Sequence, residues 1–129
     1  MSRLPSTFKR LSLPGAAALL LAAALAPAPV RAVEKSEAAA QLDFGVKVAL
    51  KGSWNEAAFR FEKAVHADAG NARAWNNLGV ALESLGKFDA AREAYEKAKA
   101  LAPGDEKIRD NFERFQGYIR STRGNAGAP

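Results

Sequence analysis

The sequence predicts an all-α fold, a stack of helix–turn–helix repeats made of two units and a closing helix. Three observations point there. From Glu34 onward, apolar residues recur at three- and four-residue intervals, with no alternating strand pattern. Capping and turn residues punctuate that pattern at regular distances. The chain also matches itself when it is shifted by 34 positions.

Composition narrows the class further. With 129 residues, 48% hydrophobic and 26% charged, the chain is too apolar for a disordered polypeptide, too short for a large enzyme fold and too charged for a polytopic membrane protein. Its net charge of +5 is concentrated at the start, because Arg3, Lys9, Arg10 and Arg31 fall among the first 32 residues with no acidic residue beside them. The remaining 15 basic and 14 acidic residues leave +1 across residues 33–129. Such a body lacks the surplus of Lys and Arg that neutralising many phosphates requires, so no nucleic-acid partner is expected.

The first element is a targeting segment. Arg3, Lys9 and Arg10 precede an Ala/Leu run from Ala16 to Ala26, and Pro27 and Pro29 are expected to break any helix before Val30-Arg31-Ala32. This is the layout of a secretory signal over residues 1–32, cut after Ala32. The apolar run is too short to span about 30 Å of hydrocarbon comfortably, so a membrane association is expected only if the signal is retained. A signal of this kind places the body, residues 33–129, in the periplasm or outside the cell. The chain has no cysteine, which rules out both a lipid-modified N-terminal cysteine and a disulfide framework.

Five helices follow, predicted near 36–50, 54–67, 72–85, 88–101 and 105–121. Ser53-Trp54-Asn55-Glu56 has capping-box spacing at the start of the second, and Asp105 can cap the fifth after Pro103-Gly104 has stopped the fourth. Residues 122–129 are small and polar and are expected to form a mobile tail.

The shift by 34 aligns Gly45 with Gly79, Gly52 with Gly86, Trp54 with Phe88 and Ala57 with Ala91, then Phe61 with Tyr95, Glu62 with Glu96, Lys63 with Lys97 and Ala64 with Ala98. A mid-helix glycine costs about 1 kcal/mol relative to alanine, so two in register imply compensation by close helix approach. Small groups at Ala57, Ala64, Ala91 and Ala98 would then receive bulk from their neighbours. Phe44, Val48, Phe61, Leu78, Leu82 and Tyr95 are expected to fill the space between helices.

These residues resemble the tetratricopeptide repeat (TPR) family. Trp75, Leu78, Gly79, Leu82, Ala91, Tyr95, Ala98 and Pro103 occupy the signature positions of one unit, 72–105. The preceding unit, 38–71, keeps the small and aromatic positions but has Gln41 and Ala69 where tryptophan and proline are usual. A third starts in register at Glu106, with Arg109, Glu113 and Gln116 replacing tryptophan, glycine and tyrosine, and resembles the family's closing helix over 105–121, burying Ile108, Phe112, Phe115 and Ile119. The resemblance implies a right-handed superhelical stack over residues 33–121.

It also implies a concave groove, lined by the first helix of each unit, that takes a protein or peptide segment. Carried over by register, the groove positions are Ala39, Leu42, Val46, Ala49 and Leu50, then Arg73, Asn76, Val80, Glu83 and Ser84, then Lys107, Asp110 and Arg114 on the closing helix. The floor is apolar at one end and mixed in charge at the other, suited to an amphipathic helix or to an extended segment with apolar anchors and a polar end. A subtype of the family grips a peptide's C-terminal carboxylate through several polar groups. Here only Asn77 and Lys107 match, while Leu42, Val46 and Asn111 replace the expected lysine, asparagine and arginine, so that mode is not expected.

Two units are few for a continuous core, and the first helix carries Ala38, Ala39, Ala40, Leu42, Val46, Ala49 and Leu50 with no cap before it. Part of that set is expected to stay exposed and to mark a self-association or partner surface, unless residues 33–37 fold over it. Chemistry is sparse. His66 is the only histidine and is read as a partly exposed polar residue late in the second helix; without cysteine, neither a histidine-activated nucleophile nor a structural zinc or haem site can be assembled in the usual way. No enzymatic activity and no cofactor are expected. The reading is an exported adaptor of a bacterial envelope assembly. Its alternatives are a self-assembling homo-oligomer built through the first repeat and a membrane-tethered scaffold.

Overall fold

Two helical hairpins and a final helix account for residues 28–125, the part of the chain that the computed structural model describes: α1 (Ala28–Ala49), α2 (Trp54–Ala67), α3 (Ala72–Ser84), α4 (Phe88–Leu101) and α5 (Glu106–Asn125). Each hairpin turns on a glycine in the left-handed region, Gly52 at φ 78° and Gly86 at φ 72°. The N–H of Gly52 donates to the Ala49 carbonyl and that of Ser53 to Val48. Gly86 and Lys87 repeat the pair onto Glu83 and Leu82. These bonds close the last turn of the first helix in each hairpin and reverse the chain, and a side chain at either glycine would strain the backbone.

The connections to the next unit repeat too. Asn71 caps α3 by accepting from the Ala74 N–H at 3.1 Å, and Asp105, 34 residues later, accepts from the Ile108 N–H at 3.1 Å. Ser53 occupies the N-cap of α2 without a side-chain cap bond, and Glu56 turns outward to Arg60 at 2.7 Å, so the expected capping box is not formed. A charged partner one turn along the helix outcompetes the backbone N–H for the carboxylate.

Helix ends differ from expectation at both termini. α1 begins at Ala28, not near residue 36, and includes Val30-Arg31-Ala32. Pro29 sits in its first turn, where the missing N–H would have had no intrahelical partner, and so starts the helix where the sequence reading had it breaking one. Residues 30–37 are exposed, and Ala38 and Leu42 are the first to reach the core. They continue α1 and do not fold back over its apolar face. At the other end α5 runs past residue 121, with Thr122 Oγ1 donating to the Ile119 carbonyl, so residues 122–125 belong to the helix. The rest of the anticipated tail, and residues 1–27 of the anticipated signal, lie outside the described residues.

The core explains the 34-residue pattern. Ala57, Ala64, Ala91 and Ala98 are fully buried, and Phe61 and Tyr95 pack into the space opposite the two glycines. A Cβ placed on Gly45 would lie 2.5 Å from the Phe61 ring, and one on Gly79 2.9 Å from the Tyr95 ring. Both distances are below any real carbon contact, so the helix backbones meet where only glycine fits. Ile108, Phe112, Phe115 and Ile119 are buried as expected of the closing helix, and the rings of Tyr95 and Phe115 pack at a tilt with centroids 5.3 Å apart.

Phe44 departs from this pattern. It is 45% exposed, although its counterpart Leu78 is buried. Among the described residues α3 packs against both α2 and α4, whereas nothing precedes α1. The position that a preceding unit would cover is therefore open on α1, and the Arg60 guanidinium lies over the Phe44 ring at 4.4 Å.

Candidate functional site

The first helix of each unit places its residues along one face of the stack, and two adjoining pockets occupy that face. The apolar one, of about 170 Å³, is lined by Val46, Ala49, Leu50 and Trp54 from the first hairpin, by the edge of Phe61, and by Asn77 and Val80 from α3. Leu50, at 83% exposure, stands at its rim just past the end of α1. The turn that Gly52 makes brings Trp54 back beside Ala49 and Leu50. The second pocket, of about 280 Å³, crosses from α1 to α5 and is lined by Val46, Arg73, Asn76, Asn77, Asp105 and Lys107 around Ile108. Val46 and Asn77 belong to both, so the two pockets form one groove with an apolar and a charged end.

The predicted groove residues therefore divide. Val46, Ala49, Leu50, Asn77, Val80, Arg73 and Lys107 line the pockets with exposed or half-buried side chains, and Asn76 forms part of the floor of the second. Among the described residues Arg73 and Lys107 form no ion pair, and both are exposed. Leu42 and Asn76, at equivalent positions in the two units, are nearly covered, at 5% and 4% exposure. Leu42 has joined the apolar core. Asn76 accepts from Asn111 Nδ2 at 3.1 Å and donates to Asn77 Oδ1 at 3.4 Å, tying α3 to α5. These two hold the floor together and present almost nothing to a ligand.

Glu83 and Arg114 form a brace. The buried Tyr95 hydroxyl donates to Glu83 Oε2 at 2.7 Å, and Arg114 donates to both carboxylate oxygens at 3.1 and 3.5 Å. Burial, and after it the adjacent Glu83 carboxylate, pushes the Tyr95 hydroxyl well above the usual phenol range, so it stays a neutral donor. The trio links α3, α4 and α5, and its charges are already satisfied by one another. Asp110 is exposed and paired with its neighbour Arg109 at 3.1 Å, Ala39 and Ser84 are exposed at the margins, and the Ser84 hydroxyl donates to the Val80 carbonyl.

Four lining residues are absent from the register-based set: Phe61 and Ile108, which the sequence assigns to the core, and Trp54 and Asp105. Trp54 opens a second helix and Asp105 is a helix cap, so neither belongs to the first-helix positions that a register transfer selects. The signal for Asp105 is its place directly before α5, and for Trp54 its place directly after the turn that follows α1. His66 is exposed on α2, away from both pockets. Among the described residues, no group of three His, Cys, Asp or Glu side chains could hold a metal ion, and no helix is long and apolar enough to cross a membrane.

Known proteins agree with this architecture. The family model described as "Tetratricopeptide repeat" matches residues 72–105. Among solved structures, the TPR domain of Sgt2 from Aspergillus fumigatus superposes with a TM-score of 0.64 at 23% sequence identity, covering 69% of this chain and 60% of that one. No curated protein sequence matches the chain. Among the described residues, five helices in packed hairpins share the fold of a solved TPR domain, and residues 72–105 match the tetratricopeptide repeat model.

Proposed function

We propose that this protein is a noncatalytic adaptor, exported into a bacterial envelope, that holds a segment of a partner protein in the groove between α1, α3 and α5. The observation that carries the reading is the pairing of an apolar pocket at Val46, Leu50, Trp54 and Val80 with a charged one bearing Arg73 and Lys107, the two sharing a wall. An amphipathic segment with one or two apolar anchors and an acidic end complements both at once. The fold supports an interaction module; export rests on the composition of residues 1–32.

Titration of the full chain with a panel of synthetic amphipathic peptides, followed by amide chemical shifts, tests the groove. Peptides with an acidic end should perturb Val46, Leu50, Asn77, Val80 and Lys107 together. Leu50→Asp and a charge reversal at Arg73 or Lys107 should each weaken binding with little change in melting, because all three side chains are exposed. Loss of folding in these variants would make the positions structural. Uniform failure of the panel would remove the adaptor reading. The intact mass of the chain recovered from an expressing bacterium tests export: a chain beginning after Ala32 supports cleavage, and retention of residues 1–32 supports a tethered scaffold.

A second reading, self-association, draws on the open start of the stack, where Phe44 and Phe59 are 45% and 47% exposed on either side of Arg60. Sedimentation of the full chain distinguishes it: a homo-oligomer broken by Phe44→Glu would favour assembly through the first repeat.

A further inference from the structure

The far end of the stack carries a feature that the groove does not use. Half-buried Arg92 on α4 and Arg120 and Arg123 on α5 line a pocket of about 310 Å³ with Gln116, and Phe115 and Ile119 form its apolar part. No carboxylate lines it, and among the described residues none of the three arginines forms an ion pair. α5 carries no acidic residue after Glu113, so this end of the molecule is basic while the body as a whole is near neutral.

Internal comparison shows how the sequence builds the pocket. Shifted back by 34, Arg92 corresponds to Ala58 and Gln116 to Leu82, both buried where α2 meets α3. At the α4–α5 junction a long cation and an amide take the place of a methyl and an isobutyl group, and the helices meet less closely than α2 and α3 do. Glu113, in place of the Gly45 and Gly79 that admit a second helix at close range, puts a side chain where another helix of this chain type would have to approach. The end is thus poorly suited to continuing the stack and well suited to an anion. Three guanidinium groups around one cavity repel one another until a carboxylate-bearing ligand enters, and the planar guanidinium binds carboxylates bidentately.

We propose that this end is a second docking site, separate from the groove, for an acidic peptide segment: glutamate or aspartate side chains on Arg92, Arg120 and Arg123, with an apolar residue between them against Phe115 and Ile119. The probe is a fluorescein-labelled decapeptide of glutamates with one central leucine, titrated by anisotropy onto the full chain. The triple variant Arg92→Gln, Arg120→Gln, Arg123→Gln should bind it about tenfold more weakly, and raised salt should weaken the parent in the same direction. In the background of the groove variant Arg73→Gln, Lys107→Gln, which removes the groove's own share of acidic-peptide binding, the triple substitution should weaken binding by the same factor as in the parent, which separates this site from the adaptor groove. Circular dichroism melting verifies that the triple variant is folded; if it is not, single Arg123→Gln, at the exposed end of α5, should still lower affinity measurably. Equal binding by the folded triple variant, or loss confined to the groove variant, overturns the proposal. Preference for anionic phospholipid vesicles over the peptide, or a concentration-dependent dimer abolished by Arg92→Gln, would also overturn it, in favour of a membrane or a second copy.

Discussion

The two hairpins share one sequence pattern, yet their equivalent residues have different surroundings. Leu78 is buried and its counterpart Phe44 is half exposed; Asn76 is bonded to Asn111 across helices, while Leu42 sits among apolar side chains. What differs is the company. α3 has a helix hairpin before it and α5 after it, whereas among the described residues α1 has neighbours on one side only. The pattern of a unit therefore specifies which face a residue points to. Whether that face is covered depends on the next unit.

Truncation at the matched positions should test that contrast most severely. Leu78→Ala is expected to cost about 2–5 kcal/mol, as for a buried leucine whose cavity cannot fully collapse. Phe44→Ala should cost less than about 1 kcal/mol, the worth of a partly exposed ring and its cation–π contact. Urea unfolding of the two variants measures both, and equal losses would mean that α1 is covered by something after all.

The next effect contrasts a complete unit with the incomplete one. Gly79→Leu should cost about 2–3 kcal/mol, because its Cβ would collide with the Tyr95 ring and no flexible side-chain end is there to yield. Glu113→Leu, at the matching position of α5, should stay within about 0.5 kcal/mol, since that residue is exposed. Unchanged melting of Gly79→Leu would show that the helices do not meet where the 34-residue register puts them.

Smaller still is the brace around Tyr95. Tyr95→Phe should cost about 1 kcal/mol by removing the bond to Glu83. It also carries a pH signature. The phenol is raised in the folded chain and ordinary, near pH 10, in the unfolded one, so the stability it confers is complete below about pH 10 and declines as pH rises beyond that. Tyr95→Phe should flatten this alkaline decline, which unfolding titrations between pH 8 and 11 would reveal.

Much of the fold was legible because it rests on local chemistry and periodicity. The five helices, the turn glycines, the Asp105 cap and the packing of Gly45 and Gly79 against aromatic rings follow from residue types at fixed spacing. Failures came where two local options compete. Pro29 can break a helix or begin one, and Glu56 can cap a helix or pair with Arg60. Of the groove, the surface members Leu50, Arg73, Val80 and Lys107 could be found by register. Glu83 and Arg114 could not be recognised as mutually bound, because their bond joins residues 31 apart, directly between α3 and α5. Trp54 entered the pocket only through the reversal at Gly52.

Taken alone, the order of amino acids determined that this chain forms helices, where they turn, and which small residues let them touch, since these depend on backbone freedom, side-chain size and spacing within about one unit. Tertiary structure decided which members of each face are exposed, that Asn76 and Glu83 are consumed in holding helices together, and that Arg73 and Lys107 remain available beside an apolar pocket. Exposure and pairing are properties of neighbouring surfaces, and those neighbours are brought together only when the hairpins stack.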